Sequence, residues 1–275
     1  MHTKEEKMQA FGRLLDVIDT LRVKCPWDRK QTNESLRPNT IEEVYELCDA
    51  ILNDDTKDIC KELGDVIMHT VFYAKLAEEK EQFDMADVCN TECDKLIFRH
   101  PHVYGQDVAE TSEQVLQNWE QLKLKEKDGN KTVLSGVPAS LPSMIKAYRI
   151  QDKARNVGFD WEKKEDVWAK VKEEISEFEN ELTSLGSESN LAEHKQQMED
   201  ELGDVIFSIV NAARLYGLNP DTALEHTNQK FIRRFGYVEQ NTIKAGKSLK
   251  EMTLDEMDAL WNEAKRLEQR GYAQI

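Results

Sequence analysis

Apolar residues recur three and four positions apart over much of the chain. Ile41, Val44, Tyr45, Cys48, Ile51 and Leu52 form one such row. Ile59, Leu63, Val66, Ile67 and Val71 form the next. That spacing lines one face of a helix. Strict apolar–polar alternation is scarce, and the one Asp-Gly pair, Asp128-Gly129, sits in a polar stretch without flanking strands. The pattern predicts an all-α protein, with a turn between the two rows at residues 53–56.

The stretch 127–143, KDGNKTVLSGVPASLPS, gathers two prolines, two glycines and three serines and reads as a linker. The sequence on its two sides is similar. IEEVYEL, KELGDVI, KLIFRH and NWEQLKLKE precede it; VKEEISEFENEL, DELGDVI, KFIRRF and LWNEAKRLE follow it in the same order. The second copy has eight more residues between its acidic motifs, which fits a loop around LGSESNLAE with a turn near 186–190. A duplicated module is expected: an N-terminal domain over 1–126, the linker over 127–143, and a C-terminal domain over 144–275.

Charge narrows the partners. Lysine and arginine number 37 against 53 aspartates and glutamates, a formal net charge of -16. A protein that tracks nucleic acid carries a basic face, so nucleic acid is not the expected partner. No apolar run reaches the roughly 20 residues of a membrane span. The first residues, MHTKEEKMQAF, lack the apolar core of a secretion signal. With five cysteines, an odd number, the chain is expected in the reducing cytoplasm with free thiols. Cys89 and Cys93, four apart, are expected to pack in the core rather than bind zinc, since no CxxC motif is present.

Excess acid becomes informative where it repeats. Glu174 and Glu177 are three apart, as are Glu201 and Asp204, and residues at that spacing share a helix side. In the first copy, Glu46 lies seven residues before the expected turn and Glu62 six after it, so an antiparallel hairpin sets them face to face. An isolated EExxE run is usually a solvated surface. Here apolar Leu202, Val205 and Ile206 turn the helix toward a partner, and Gly203 lets that partner come close at a cost of roughly 1 kcal/mol relative to Ala. Four converging carboxylates repel one another unless some hold protons or a cation intervenes. All-oxygen ligands favour Mg²⁺ or Mn²⁺. None of the six histidines follows a glutamate by three positions, which argues against the Glu-x-x-His motif of di-iron bundles.

Mg²⁺ on a few carboxylates keeps positions for phosphate oxygens, and phosphate also needs cations. Lys230, Arg233 and Arg234 in KFIRRF supply them, with Lys230 and Arg234 on one face. Lys170 lies one turn before Glu174. Trp261 is a candidate to stack on a base or ribose, and Asn211, two turns after Asp204, to hold a nucleotide group or a metal water.

EExxE followed by ExxD resembles the signature of the MazG-type nucleoside triphosphate pyrophosphohydrolases, an all-α family. CPWDRKQT (25–32), RHPHVYG (99–105), SGVPASLPS (135–143) and NVGFDW (156–161) resemble it further, and the likeness spans nearly the whole chain. It implies tandem four-helix-bundle-like domains and a homodimer. It also implies Mg²⁺-dependent hydrolysis of NTPs and dNTPs to a monophosphate and pyrophosphate. Within the same superfamily, a narrower activity on dUTP or phosphoribosyl-ATP is the alternative. A helical scaffold that has lost activity is the other.

By the resemblance, Glu174, Glu177, Glu201 and Asp204 are the metal ligands, and Lys230, Arg233, Arg234 and Trp261 bind nucleotide. Lys170, Glu199 and Asp200 flank the substrate. Glu173 or Glu174 is the candidate base, and Lys230 and Arg234 the stabilisers of the leaving group. The first copy keeps Glu42, Glu43, Glu46, Glu62 and Asp65. It has Phe72 where the second has Asn211, and Phe98 where the second has Arg233. It is expected to bind metal weakly and catalyse poorly.

Overall fold

The computed structural model describes residues 1–125, 132–161, 163–184 and 191–270. Among these residues there are helices and turns and no strand, as the apolar spacing predicts. The chain packs as two compact units, Met1–Val108 and Ala109–Ile275. This division falls before the expected linker, of which residues 127–131 lie outside the described ones.

The first unit contains α1 (Lys4–Lys24), α2 (Asn33–Leu52), α3 (Thr56–Glu78), α4 (Met85–Arg99) and the short α5 (Pro101–Tyr104). Each long helix starts on a side chain that caps its orphan N–H groups. Thr3 and Glu6 form a reciprocal capping box on α1, Thr32 and Ser35 on α2, and Asp84 and Asp87 on α4. Asp55 caps α3 through the amides of Lys57 and Asp58. The turn between α2 and α3 is only Asn53–Asp55, where expected, and passes through Asp54 at φ 53°. Aspartate tolerates that left-handed region better than most residues. The tight turn folds α3 back along α2. Ile18, Leu36, Val71, Phe72 and Leu76 form the core, with Phe11, Leu14 and Met68 packed around it.

The second unit contains α6 (Ser112–Lys125), α7 (Ser143–Arg155), α8 (Lys164–Ser184), α9 (Leu191–Leu215), α10 (Pro220–Lys244) and α11 (Leu254–Gln269). The expected turn near 186–190 lies outside the described residues. α8 packs along α9, α7 crosses α9, and α10 pairs with α11. Asn219 caps α10, with Pro220 in the first turn where its missing N–H costs nothing. Val167 and Val171 from α8 meet Ala212 and Leu215 from α9 in the core.

Cys89 and Cys93 depart from expectation. They do share a face of α4, but both are exposed, and α4 buries no residue fully. All five cysteines are free. No described helix is long and apolar enough to cross a membrane.

Candidate metal centre

In each unit the helix hairpin brings three carboxylates together. Glu174 and Glu177 on α8 and Glu201 on α9 each offer an oxygen, all within 4.8 Å of one another. Glu43 on α2 and Glu62 and Asp65 on α3 do the same in the first unit. The i, i+3 spacing puts two acids on one helix face, and the hairpin supplies the third. Four were expected in each copy. Asp204 is exposed and outside its group; Glu46 is outside the other, 3.9 Å from Lys61. By the repeat, Asp204 corresponds to Asp65 and Glu46 to Glu177. All four positions are therefore used in at least one copy.

The electrostatics match crowding. The Glu177 carboxyl is pushed above its usual range by partial loss of water and by a hydrogen bond shared with Glu174. Glu43 is pushed up by the same loss of water, then by Asp65, Glu46, Glu62 and Glu42. A lysine stands on each cluster. Lys170 Nζ donates to Glu173 and Glu174, both at 2.8 Å, which raises its own pKa. Lys61 Nζ donates to Glu62 Oε1 at 2.6 Å. Glu62 is 4% exposed, and its other oxygen is buried with no hydrogen-bond partner. Convergent hard oxygens, raised carboxyl pKa values and an unmet acceptor fit a hard divalent cation.

The two lysines differ in origin. Lys61 belongs to the ExxD helix, where the second copy has Asp200. That inversion places a cation on the first cluster and an acid beside the second. The alignment of KELGD with DELGD carried the signal, although its meaning needed the contact.

Among the expected phosphate cations, Arg234 donates Nε and Nη2 to Glu268 Oε2 at 2.8 and 2.6 Å. Arg233 Nη2 lies 3.7 Å from Glu268 Oε1. Glu268 on α11 thus holds both arginines, a constraint the sequence reading missed. Lys230 is half-buried and makes no ion pair among the described residues. Trp261 packs on Phe231, ring centres 5.1 Å apart, and lies under the Arg234 guanidinium at 5.6 Å. Glu199 pairs loosely with Lys195 at 3.6 Å, and Asp200 accepts from Gln196 at 2.9 Å. Both are exposed.

Asn211, expected to hold a nucleotide group or a metal water, is engaged by Arg214. Its Oδ1 accepts from Arg214 Nη2 at 2.8 Å, and Arg214 also grips Asp160 at 2.5 and 3.1 Å. Asp160 belongs to NVGFDW, whose Gly158 adopts φ 90°, a left-handed turn that favours glycine. Gly203 corrects an expectation. A Cβ there would meet nothing within 4 Å, so no close helix approach requires the glycine within this unit. Leu202 and Ile206 beside it are likewise exposed, while Val205 is buried.

Residues 31–104 and 162–238 match the family described as the MazG nucleotide pyrophosphohydrolase domain. A nucleoside triphosphate pyrophosphohydrolase of Escherichia coli is 39% identical over 266 residues, 95% of this chain and 99% of the relative. A nucleoside triphosphate pyrophosphohydrolase/pyrophosphatase of Thermotoga maritima is 38% identical over 258 residues, 93% of this chain and 95% of the relative. An uncharacterised protein of Bacillus subtilis is 42% identical over 273 residues, 98% of this chain but 54% of the relative.

Proposed function

The chain belongs to the MazG nucleotide pyrophosphohydrolase family, and from that premise we propose that its second unit hydrolyses NTPs and dNTPs to a monophosphate and pyrophosphate with Mg²⁺. The observation that carries this reading is the convergence of Glu174, Glu177 and Glu201 within 4.8 Å. Asp204, one turn from Glu201 on the same helix, joins them as the fourth ligand by a change of side-chain rotamer. Mn²⁺ satisfies the same oxygen set.

A divalent cation held there neutralises triphosphate oxygens and lowers the pKa of water. The chain's own groups do the rest. Glu173, exposed and outside the three-acid group, accepts the proton of the attacking water. Lys170 Nζ bridges Glu173 and Glu174 and keeps the two carboxylates in register. Lys230 is available to a phosphate, and Arg233 and Arg234 reach one by exchanging Glu268 for it. These cations stabilise charge on the departing pyrophosphate. Trp261 holds Arg234 in place from beneath. Glu199 and Asp200 border the entrance, where their charge suits a cation-bound triphosphate.

The first unit retains the acids but weakly supports the chemistry. Phe72 is core where Asn211 stands in the other copy, and Phe98 replaces Arg233. A homodimer, two copies of this chain, suits the exposed Leu202, Ile206, Ile209, Phe231 and Ile232. Product analysis with each common NTP and dNTP plus Mg²⁺ tests the function. Monophosphate and pyrophosphate from several bases are expected. Strict preference for one nucleotide favours the narrower enzyme, and no release from any of them overturns the proposal.

A further inference from the structure

One carboxylate stands where two arginines converge. Glu268 on α11 meets Arg233 and Arg234, neighbours on α10. Arg234 directs both Nε and Nη2 at the same oxygen, Oε2, at 2.8 and 2.6 Å. The other oxygen, Oε1, is buried without a hydrogen-bond partner, and Arg233 Nη2 stops 3.7 Å from it. A settled pair of arginine and carboxylate makes two parallel bonds, one to each oxygen. This pair uses half of the carboxylate. The Arg234 and Glu268 side chains are 15 and 18% exposed, so their charges are weakly screened and the unmet oxygen is a standing cost.

α11 holds Arg234 at a second point that does not need the carboxylate. Trp261, two turns before Glu268, lies 5.6 Å beneath the guanidinium and is itself packed on Phe231. The guanidinium therefore keeps its place when Glu268 leaves it. Three cations, Lys230, Arg233 and Arg234, stand close together on α10, and one carboxylate answers the two arginines. A terminal phosphate offers three oxygens in a tetrahedron, whereas Glu268 offers two in a plane. Phosphate can thus serve both guanidinium groups at once. Glu268 is an incomplete stand-in for it, bound well enough to order the arginines and poorly enough to be exchanged.

We propose that Glu268 is a positioning residue that competes with phosphate for Arg233 and Arg234 and so sets how tightly the pyrophosphate group is held. The inference rests on the pyrophosphohydrolase reading and adds a control on the same site. Without substrate, Glu268 keeps both arginines turned toward one point. A triphosphate displaces it, and Arg234 gives Nε and Nη2 to phosphate oxygens. After cleavage the carboxylate returns as pyrophosphate leaves, one anion exchanging for another with no covalent change in the protein. Cations that attract a triphosphate also retain pyrophosphate, and a resident competitor lets the product go.

Glu268→Gln tests this in the full chain, because it removes the charge and keeps the shape. Inorganic pyrophosphate with Mg²⁺ is expected to bind the variant about tenfold more tightly than the wild type in calorimetry, the scale of one charge-assisted hydrogen bond. The KM for ATP is expected to fall in step, with kcat no higher than in the wild type. A carboxylate that only braced the arginines would act in the opposite sense. A raised KM with weaker pyrophosphate binding therefore overturns the proposal, as does an unchanged pyrophosphate affinity. Glu268→Ala, which leaves Arg234 no amide oxygen to bond, repeats the test and should tighten binding likewise. With Arg233 and Arg234 both replaced by Ala, Glu268→Gln should bring no gain, and a gain that persists there overturns the proposal. If the wild type cleaves no nucleotide, the hydrolysis reading fails on its own. Pyrophosphate binding then judges Glu268 separately: tighter binding by Glu268→Gln supports its role, and binding to neither protein overturns it.

Discussion

His69 and Glu177 have both lost water, with opposite consequences for their protons. His69 is buried beside Thr40, whose hydroxyl lies 3.0 Å from its Nδ1 and 2.7 Å from the Tyr73 hydroxyl. Burial lowers its pKa from 6.5, and Asp65 only partly opposes the shift. Below pH 6.5 the unfolded chain therefore binds this proton more readily than the native one. Its stabilising contribution is full above that pH and is lost as pH falls through the native value. Thermal melts from pH 7.5 downward should show a fall that His69→Gln flattens; parallel curves for both proteins would refute the assignment. Glu177 behaves conversely. Its native pKa is raised from 4.5, so its contribution is present below 4.5 and is lost as pH rises through the native value, where the carboxylates repel. A cation that binds the native state reverses that loss. At pH 7.5, Mg²⁺ should raise the melting temperature of the wild type more than that of Glu177→Gln, and equal shifts would remove Glu177 from the ligand set.

α9 shows what helix periodicity reveals and what it conceals. Its apolar spacing, the ExxD pair and the hairpin with α8 were legible in sequence, because each depends on residues a turn apart. The role of Gly203 was not. A helix interior glycine costs about 1 kcal/mol relative to alanine, and here open space surrounds the missing Cβ. Gly203→Ala should therefore stabilise the chain by about 0.5–1 kcal/mol in urea unfolding. Loss of stability would mean that a contact beyond this unit needs the glycine. Long-range partners were equally hidden. Nothing in KFIRRF announces that Glu268, 34 residues beyond Arg234, holds its arginines. Nor does NVGFDW state that Asp160 will meet Arg214, 54 residues away. Such pairs depend on how helices pack, which local patterns do not encode. The exposed cysteines of α4 illustrate the same limit, since an i, i+4 face is defined by the sequence but its neighbour is not.

Across the whole chain, duplication has yielded two hairpins with similar acids and different surroundings. The repeat itself was readable from the order of four motifs, as was the family. Which three acids meet in each copy was not, because a rotamer or a nearby lysine decides it. Lys61 against Asp200 is one difference between the copies: each cluster carries a lysine, but Lys61 stands on the ExxD helix of the first and Lys170 on the EExxE helix of the second. Phe72 adds to the asymmetry, since it is 2% exposed and serves the core of its unit. The chemistry is proposed for the second unit. The most direct test is the rate of pyrophosphate release from NTP with Mg²⁺ by Glu177→Gln and by Glu46→Gln, the equivalent positions of the two copies. Loss of a ligand should slow Glu177→Gln by about a hundredfold or more, while Glu46→Gln should stay within about twofold of the wild type, a surface substitution in this respect. Equal losses in the two variants, or a greater loss in Glu46→Gln, would contradict the account.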